Sequence, residues 1–503
     1  MNLKAVIVFC ILLIVCSVSS VTAANNDEFM IKDVINASYS VKYSIENMHK
    51  VPKTINISEV NVTSEQYLYL STKCVVSLYN GKNEETKIKS FNVSSPINPQ
   101  GACIQGTLSK MEYINIAKRI QSFVENNSRA PNYANSKLGK ISYHTLLYLF
   151  ANICILYDKE KKLPDYVTLT PIINVAIYNG TDALDESVNG IVQCLSTTNT
   201  EKFIVTFSKI DKITYDTLRD FDVLIMPAGI SGRSYIKNEN ISEAAIKNFV
   251  YSGKGYIGIC AGAFAASSLV VTEDDYYNGW GLAGVTSQAT SYIGNITVKI
   301  TEIGKEILDL NGCLTLWFWN GPVMTGSTAL ATYLDRYSGN AIIVDNYGNG
   351  RVALLGPHPE LNPQIPNIIL NLIKWVSKCN ENISKFSITI TNKGSTPTTI
   401  KYYVSVYTDT INGSKIFYNE YSLTLNPGEK KVIILGDYPS SYAVSTTLIL
   451  TNVKKSYVPI NLQLKYSIGN CNPQIVEINK YIAPGTFVKV VRYTSRGNYV
   501  DIW

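Results

Sequence analysis

The sequence predicts a multidomain chain with a helical N-terminal region, a central doubly wound α/β domain and a C-terminal β-sandwich. Three observations predict it. Helical periodicity dominates residues 111–169, apolar strands alternate with amphipathic helices over 171–379, and from 381 to 503 short strands and turns replace helices. At 503 residues and 46% hydrophobic composition, the chain can bury more than one core, roughly two to four domains by length. A net charge of +6 is modest for this length, and no dense Lys/Arg block gives a nucleic-acid footprint.

Residues 1–24 read as a signal peptide. Lys4 precedes an apolar run from Ala5 to Val18, and small residues lead to cleavage after Ala23 or Ala24. The competing reading, an uncleaved anchor, asks for a longer apolar run. No other stretch is long and apolar enough to span, so the mature chain is expected to be secreted and extracellular. Sequons at Asn36, Asn56, Asn61, Asn92, Asn126, Asn179, Asn240, Asn295, Asn382 and Asn412 fit a glycoprotein. Outside the signal the cysteines are Cys74, Cys103, Cys154, Cys194, Cys260, Cys313, Cys379 and Cys471. Connectivity stays open; Cys74 with Cys103 and Cys379 with Cys471 are pairs within or beside one domain.

Residues 25–110 read as a polar region. After them, Ile116, Ala117, Ile120, Phe123 and Val124 share one helical face. A second helix is capped at Ser142 and carries an apolar stripe from Leu146 to Leu156, and the two are expected to pack as a hairpin over 111–169. "RAPNY" (Arg129–Tyr133) follows the first helix and "KLPDY" (Lys162–Tyr166) the second. In these words the segment Met111–Val167 resembles the pseudomurein-binding repeat of methanogenic archaea. The resemblance implies non-covalent attachment to a pseudomurein cell wall; the plainer reading is a generic helical hairpin with Pro-terminated ends.

In the central region "DVLIMPAG" and "YIGIC" place glycine and cysteine at the carboxyl ends of strands, where α/β sheets bind ligands. Gly258-Ile259-Cys260-Ala261-Gly262 is a G-x-C-x-G nucleophile elbow. The glycines suit a strained turn whose neighbours pass close by, and a helix opening at Ala261 would favour a thiolate. His49 lies in a polar stretch and His144 at a helix start, both expected to be exposed or capping. His358 differs, because it follows the buried strand Val352–Leu355 in "GPHPE". An extended chain there puts His358 and Glu360 on one side, giving Cys260 as nucleophile, His358 as base and Glu360 as its orienter. The backbone amides of Ala261 and Gly229 are candidate oxyanion donors; Gly229 reads equally as a turn glycine.

"DVLIMPAG", "GKGYIGICAGAFAAS" and "GRVALLGPHPE" resemble the class I glutamine amidotransferase fold, a flavodoxin-like architecture, and most closely the amidotransferase-like domain at the N-terminus of some biotin-protein ligases. The resemblance spans Ile173–Ser377 and implies a Cys260–His358–Glu360 triad. Ala228 stands where the family more often has glycine, which bears on the geometry of that loop. No biotin-ligase catalytic domain follows, so biotin transfer is not implied.

Other residues carry plainer readings. Trp280, Trp317 and Trp319 read as packing or rim residues of an insertion from Trp280 to Thr325. Arg233 and Tyr235 touch substrate or form a surface loop, and Glu273-Asp274-Asp275 is a solvated turn. No zinc spacing or phosphate loop is present and no cofactor is expected. The C-terminal "KFSITITNKGSTPTTIKYYVSVYTD" and "YSLTLNPGEKKVIIL" read as hairpins of an immunoglobulin-like sandwich, a spacer or adhesion module. The expected function is a wall-associated cysteine hydrolase acting on an amide or isopeptide bond. The alternative is a non-catalytic wall-binding or adhesin protein with a silent or ligand-binding α/β domain. A hydrolase of the PfpI-like type shares the elbow, but the His-x-Glu pairing leans to the amidotransferase side.

Overall fold

The computed structural model describes residues 21–22, 27–197, 202–379, 383–408, 415–439, 444–452, 458–466, 474–482, 487–493 and 499–502. Nearly all of the expected signal peptide, the sequons at Asn382 and Asn412, and Cys471 lie outside them. The chain divides into two compact units, Met1–Cys379 and Asn380–Trp503.

Where composition suggested only a polar region, the first unit opens with an ordered module. Strand β1 (Glu28–Met30) leads into helix α1 (Ile31–Glu46), a hairpin of β2 (Thr54–Ile57) and β3 (Val60–Thr63), helix α2 (Ser64–Tyr79) and β4 (Lys87–Lys89), which pairs back on β1. The same series follows as β5 (Gly106–Ser109), α3 (Lys110–Asn127), β6 (Tyr133–Ser136), β7 (Gly139–Ser142), α4 (Tyr143–Glu160) and β8 (Tyr166–Leu169), with β8 pairing back on β5. The two are copies of one design. In each, a left-handed residue (His49, Ser128) precedes a proline (Pro52, Pro131), and a β-branched or hydroxyl N-cap (Thr63, Ser142) stands at the same remove from that proline and accepts an amide hydrogen bond. "YLYL" at 67–70 then occupies the positions of "LLYL" at 146–149.

This duplication corrects the expected helix pairing. α1 packs on α4, α2 on α3, and α2 on α4, an arrangement with approximate twofold symmetry in which each copy's helices cover the other's. The hairpin β6–β7 between α3 and α4 takes the place of the tight turn that a helical hairpin needs. The buried side chains Tyr67, Leu68, Leu70, Leu146, Leu147 and Phe150 fill the shared core. Removing their apolar surface from water stabilises the module by about 1.5–3 kcal/mol for each large aliphatic side chain.

Cysteine pairing also differs from the expected one. Cys103 is bonded to Cys379, while Cys74 on α2 lies against Cys154 on α4 with the sulfurs 3.9 Å apart. Neither Cys74–Cys103 nor Cys379–Cys471 is formed, because the linker carrying Cys103 runs beside the end of the last helix of the unit rather than beside α2.

The rest of the unit is built on a 13-stranded sheet. β9 (Ile172–Tyr178), α5 (Asp185–Ser196), β10 (Ile204–Ile210), β11 (Val223–Met226), α6 (Gly232–Lys237), α7 (Glu243–Tyr251), β12 (Gly255–Ile259) and α8 (Ala261–Ala266) alternate as expected. Later come β13 (Cys313–Trp319), β14 (Asn340–Tyr347), β15 (Gly350–Leu355) and α9 (Pro366–Val376). Five strands are parallel in the order β10-β9-β11-β12-β15, and β14 continues the sheet antiparallel. All residues of β9, β11, β12 and β15 are buried, as continuous apolar runs in a sheet covered on both faces require. The segment after α8 extends this sheet with strands of mixed direction, 267–271 running parallel to 283–288 and 283–288 antiparallel to 323–326, so Trp280 is a core residue, edge-on to Tyr256.

The second unit holds nine described strands: β16 (Ile383–Asn392), β17 (Thr398–Thr408), β18 (Lys415–Leu425), β19 (Lys430–Pro439), β20 (Val444–Asn452), β21 (Val458–Tyr466), β22 (Gln474–Ile482), β23 (Phe487–Tyr493) and β24 (Tyr499–Ile502). They form antiparallel sheets in the orders β19-β16-β21-β22 and β18-β17-β20-β23-β24. The two expected hairpins are therefore crossings. The turn after β16 and the Asn426-Pro427-Gly428 turn each carry the chain from one sheet to the other.

Candidate active site

Cys260 stands between β12 and α8 with φ 50° and ψ −104°, a conformation that non-glycine residues rarely adopt and that costs on the order of 1–3 kcal/mol. The flanking glycines explain how the turn closes. A Cβ on Gly258 would lie 2.6 Å from the Gly262 carbonyl oxygen, and one on Gly262 would lie 2.3 Å from that of Met226. Cys260 donates its backbone N–H to the Leu355 carbonyl at 2.8 Å, and its thiol to the Trp319 carbonyl at 3.5 Å.

β12 and β15 are parallel neighbours with Ile259 opposite Leu355, so the residues that follow each strand emerge at the same rim. That register brings Cys260 and His358 to one cavity. After Leu355 the chain bends at Gly356 and Pro357, His358 donates its N–H to the Trp317 carbonyl at 2.8 Å, and the chain turns at Pro359 and Glu360. The turn, not an extended run, brings Glu360 Oε1 to 2.9 Å from His358 Nδ1. His358 Nε2 makes no hydrogen bond within the protein. Burial opposes the imidazolium, but the Glu360 carboxylate and the Cys260 sulfur outweigh it and raise His358 to about 10.

Glu360 is buried and its Oε1 also accepts the Ser187 hydroxyl at 2.7 Å. Ser187 Oγ in turn accepts the Ala228 N–H at 3.1 Å, so one side chain of α5 connects the carboxylate to the Ala228-Gly229 loop. α5 approaches closely because Gly190 faces the chain at Glu360, where a Cβ would sit 2.4 Å from the carbonyl oxygen. Gly229 and Ala261 both line the cavity, and the Ala261 amide, first in its helix, has no intrahelical acceptor.

The cavity holds about 340 Å³ and is bordered by Ser231, Arg233, Phe264, Tyr277, Trp319 and Asn320 besides the residues above. Arg233 reaches it, whereas Tyr235 is buried and donates to the Ala228 carbonyl at 3.1 Å, supporting the loop from behind. Asp275 belongs to an ion pair with Arg233 at 2.7 Å rather than to a free solvated turn. His49 and His144 are both buried, against the expectation of exposure. His49 stacks on Phe207, and burial lowers the pKa of His144. Among the described residues no cluster of three or more His, Cys, Asp or Glu is placed to hold a metal ion, and no helix is long and apolar enough to cross a membrane. Sequence reasoning missed Ser187 and the role of Trp319. Neither belongs to a local motif, and both reach the site only through the tertiary fold.

Residues 173–278 match the family model described as biotin-protein ligase, N terminal, and residues 104–135 match the pseudomurein-binding repeat. The first match takes in Cys260 and Gly229 and stops before His358 and Glu360. The second takes in β5, α3 and "RAPNY". A cell surface glycoprotein of Methanothermus fervidus is 50% identical over 120 residues, which is 24% of this chain and 20% of that relative. Among solved structures, a glutamine amidotransferase from Thermotoga maritima is 14% identical over 41% of this chain and 92% of its own, with a TM-score of 0.26. A glutamine amidotransferase from Methylobacillus flagellatus is 14% identical over 38% of this chain and 71% of its own, also with a TM-score of 0.26.

Proposed function

We propose that the protein is a secreted, cell-wall-associated cysteine hydrolase that cleaves an amide or isopeptide bond near pseudomurein. The observation that carries this reading is the strained Cys260 sharing a cavity with a His358 whose Nδ1 is held by Glu360 and whose Nε2 is unpartnered. The Cys260 thiol gives its proton to His358 Nε2, the resulting thiolate sulfur attacks the carbonyl carbon, and the oxygen takes up negative charge beside the Gly229 and Ala261 amides. His358 Nε2 gives its proton to the leaving nitrogen as the C–N bond breaks. Water then attacks the thioester, passes a proton to His358, and the S–C bond breaks to release the carboxylic acid. The repeat match over 104–135 supports placement at the wall.

The test is digestion of purified pseudomurein by the wild type and by Cys260→Ala, with released fragments read by mass. Fragments from the wild type that are absent with Cys260→Ala are expected; identical traces would overturn the hydrolase reading. One observation favours a second reading, a non-catalytic surface protein: the 50% identical relative is named only as a cell surface glycoprotein. Retained wall binding with identical traces would select it.

A further inference from the structure

We infer that Arg233 selects substrates whose acyl group carries a free carboxylate close to the scissile amide. This inference rests on the hydrolase reading of the Cys260 site and names its substrate class. Apart from His358, Arg233 is the one basic side chain bordering the Cys260 cavity, and no carboxylate side chain borders it among the described residues. A mostly apolar cavity with one guanidinium at its wall disfavours a second cation and favours an anion.

Arg233 is also held in place. It follows Gly229 by a short turn capped at Ser231, whose Oγ accepts the Ser234 N–H at 3.0 Å while Ser234 Oγ accepts the Ser231 N–H at 3.2 Å. Gly232 packs so closely on the nucleophile's helix that a Cβ there would sit 2.4 Å from the Phe264 Cβ. The guanidinium lies over the Tyr277 ring at 4.4 Å and gives Nη2 to Asp275 at 2.7 Å. Asp275 stands outside the cavity lining. It fixes one edge of the planar group, and a guanidinium has further N–H donors with which to take a second carboxylate. An arrangement whose purpose was only to neutralise Asp275 would not bring the arginine to the cavity that holds the nucleophile.

The test uses the full secreted chain and two alkylating reagents of similar size, anionic iodoacetate and neutral iodoacetamide. Rates at Cys260 are read by peptide mass, with the exposed Cys313 as internal reference. In Arg233→Gln the iodoacetate rate at Cys260 should fall about tenfold, the size of one charge-assisted hydrogen bond, while the iodoacetamide rate stays within about twofold. Arg233→Lys should recover part of the loss. An unchanged ratio of the two rates in Arg233→Gln would overturn the inference and leave the hydrolase reading standing. Labelling of wild-type Cys260 no faster than Cys313 with either reagent would overturn the hydrolase reading and this inference with it.

Discussion

At the scale of single residues, the site turns on how the buried carboxylate of Glu360 is used. Oε1 takes both the Ser187 hydroxyl and His358 Nδ1, which fixes the ring so that Nε2 is left for chemistry. Burial works against a charged imidazole, and the Glu360 carboxylate reverses the outcome. The neighbouring thiol Cys194 shows the opposite case, since burial and the same Glu360 charge push it up to about 12, which leaves it unreactive near neutral pH. A consequence for stability follows. The folded protein keeps the His358 proton between its ordinary 6.5 and about 10, where the unfolded chain has released it. The stabilisation from this group is therefore complete below about 6.5 and is lost as pH rises through about 10. Glu360→Gln removes the charge that holds the proton, so the His358 resonance should titrate at lower pH, and the decline in stability of the wild type from pH 7 to 10 should flatten. An unmoved His358 titration would show that Glu360 has no part in holding the ring's charge. Because Glu360 acts through His358, alkylation of Cys260 at pH 7 should also slow in this variant.

At the scale of elements, the elbow was legible in the sequence because it is local. Two glycines around Cys260, after a continuous apolar run, announce a strand ending in a turn too tight for side chains, and the structure supplies the backbone oxygens that forbid them. The parallel strands were legible for a similar reason, since a strand covered on both faces must be apolar throughout. Gly262→Ala would press a methyl group against the Met226 carbonyl, where neither strand nor helix can retreat. We expect a loss of about 1–3 kcal/mol, read as a lowered thermal midpoint, together with slower Cys260 alkylation. Wild-type stability in Gly262→Ala would mean that the elbow opens readily and that its strain is not maintained by packing. Other elements were hidden because their signals are not local. The first copy of the N-terminal module shares cap geometry and proline spacing with the second, but little of the "RAPNY" wording, so composition alone made it look featureless. The strands that follow α8, between 267 and 288, are short and run in mixed directions, and nothing within them states that they continue the central sheet. Trp319 could be placed at the cavity only once β13 was seen to lie beside the His358 segment.

At the scale of the first unit, the two copies of the module show how a duplicated design is joined to an α/β sheet. Corresponding left-handed corners are both used as backbone docking points, with different occupants. In the first copy the His49 carbonyl accepts the Phe207 N–H at 2.9 Å and His49 Nδ1 lies 3.1 Å from the Val205 carbonyl, so this corner covers β10, the edge strand of the large sheet. Covering an edge removes a ready template for pairing with another chain. In the second copy the Ser128 carbonyl accepts the Ser94 N–H at 2.9 Å, and the Ala130 N–H donates to the Ser94 carbonyl at 2.9 Å, so the corner holds the linker between the copies. That linker continues to Cys103, which is bonded to Cys379 beyond α9, closing a loop across a sequence separation of 276. Such a crosslink acts mainly by restricting the unfolded chain, with a contribution of up to about 5 kcal/mol for a loop this long. The double variant Cys103→Ser/Cys379→Ser should therefore unfold at lower denaturant concentration, while Cys260 alkylation in the folded protein stays within about twofold of the wild type, because neither cysteine touches the elbow and the edge contact at His49 remains. An unchanged unfolding midpoint would show that non-covalent contacts, among them the His49 corner, the Ile172 N–H donated to Thr145 Oγ1 at 3.0 Å and the Lys254 Nζ donated to the Pro99 carbonyl at 3.1 Å, hold the module to the sheet without the crosslink. A collapse of Cys260 reactivity at low denaturant would show instead that the linker supports the nucleophile's strand, through the Pro99 carbonyl that accepts Lys254 Nζ at 3.1 Å directly before β12.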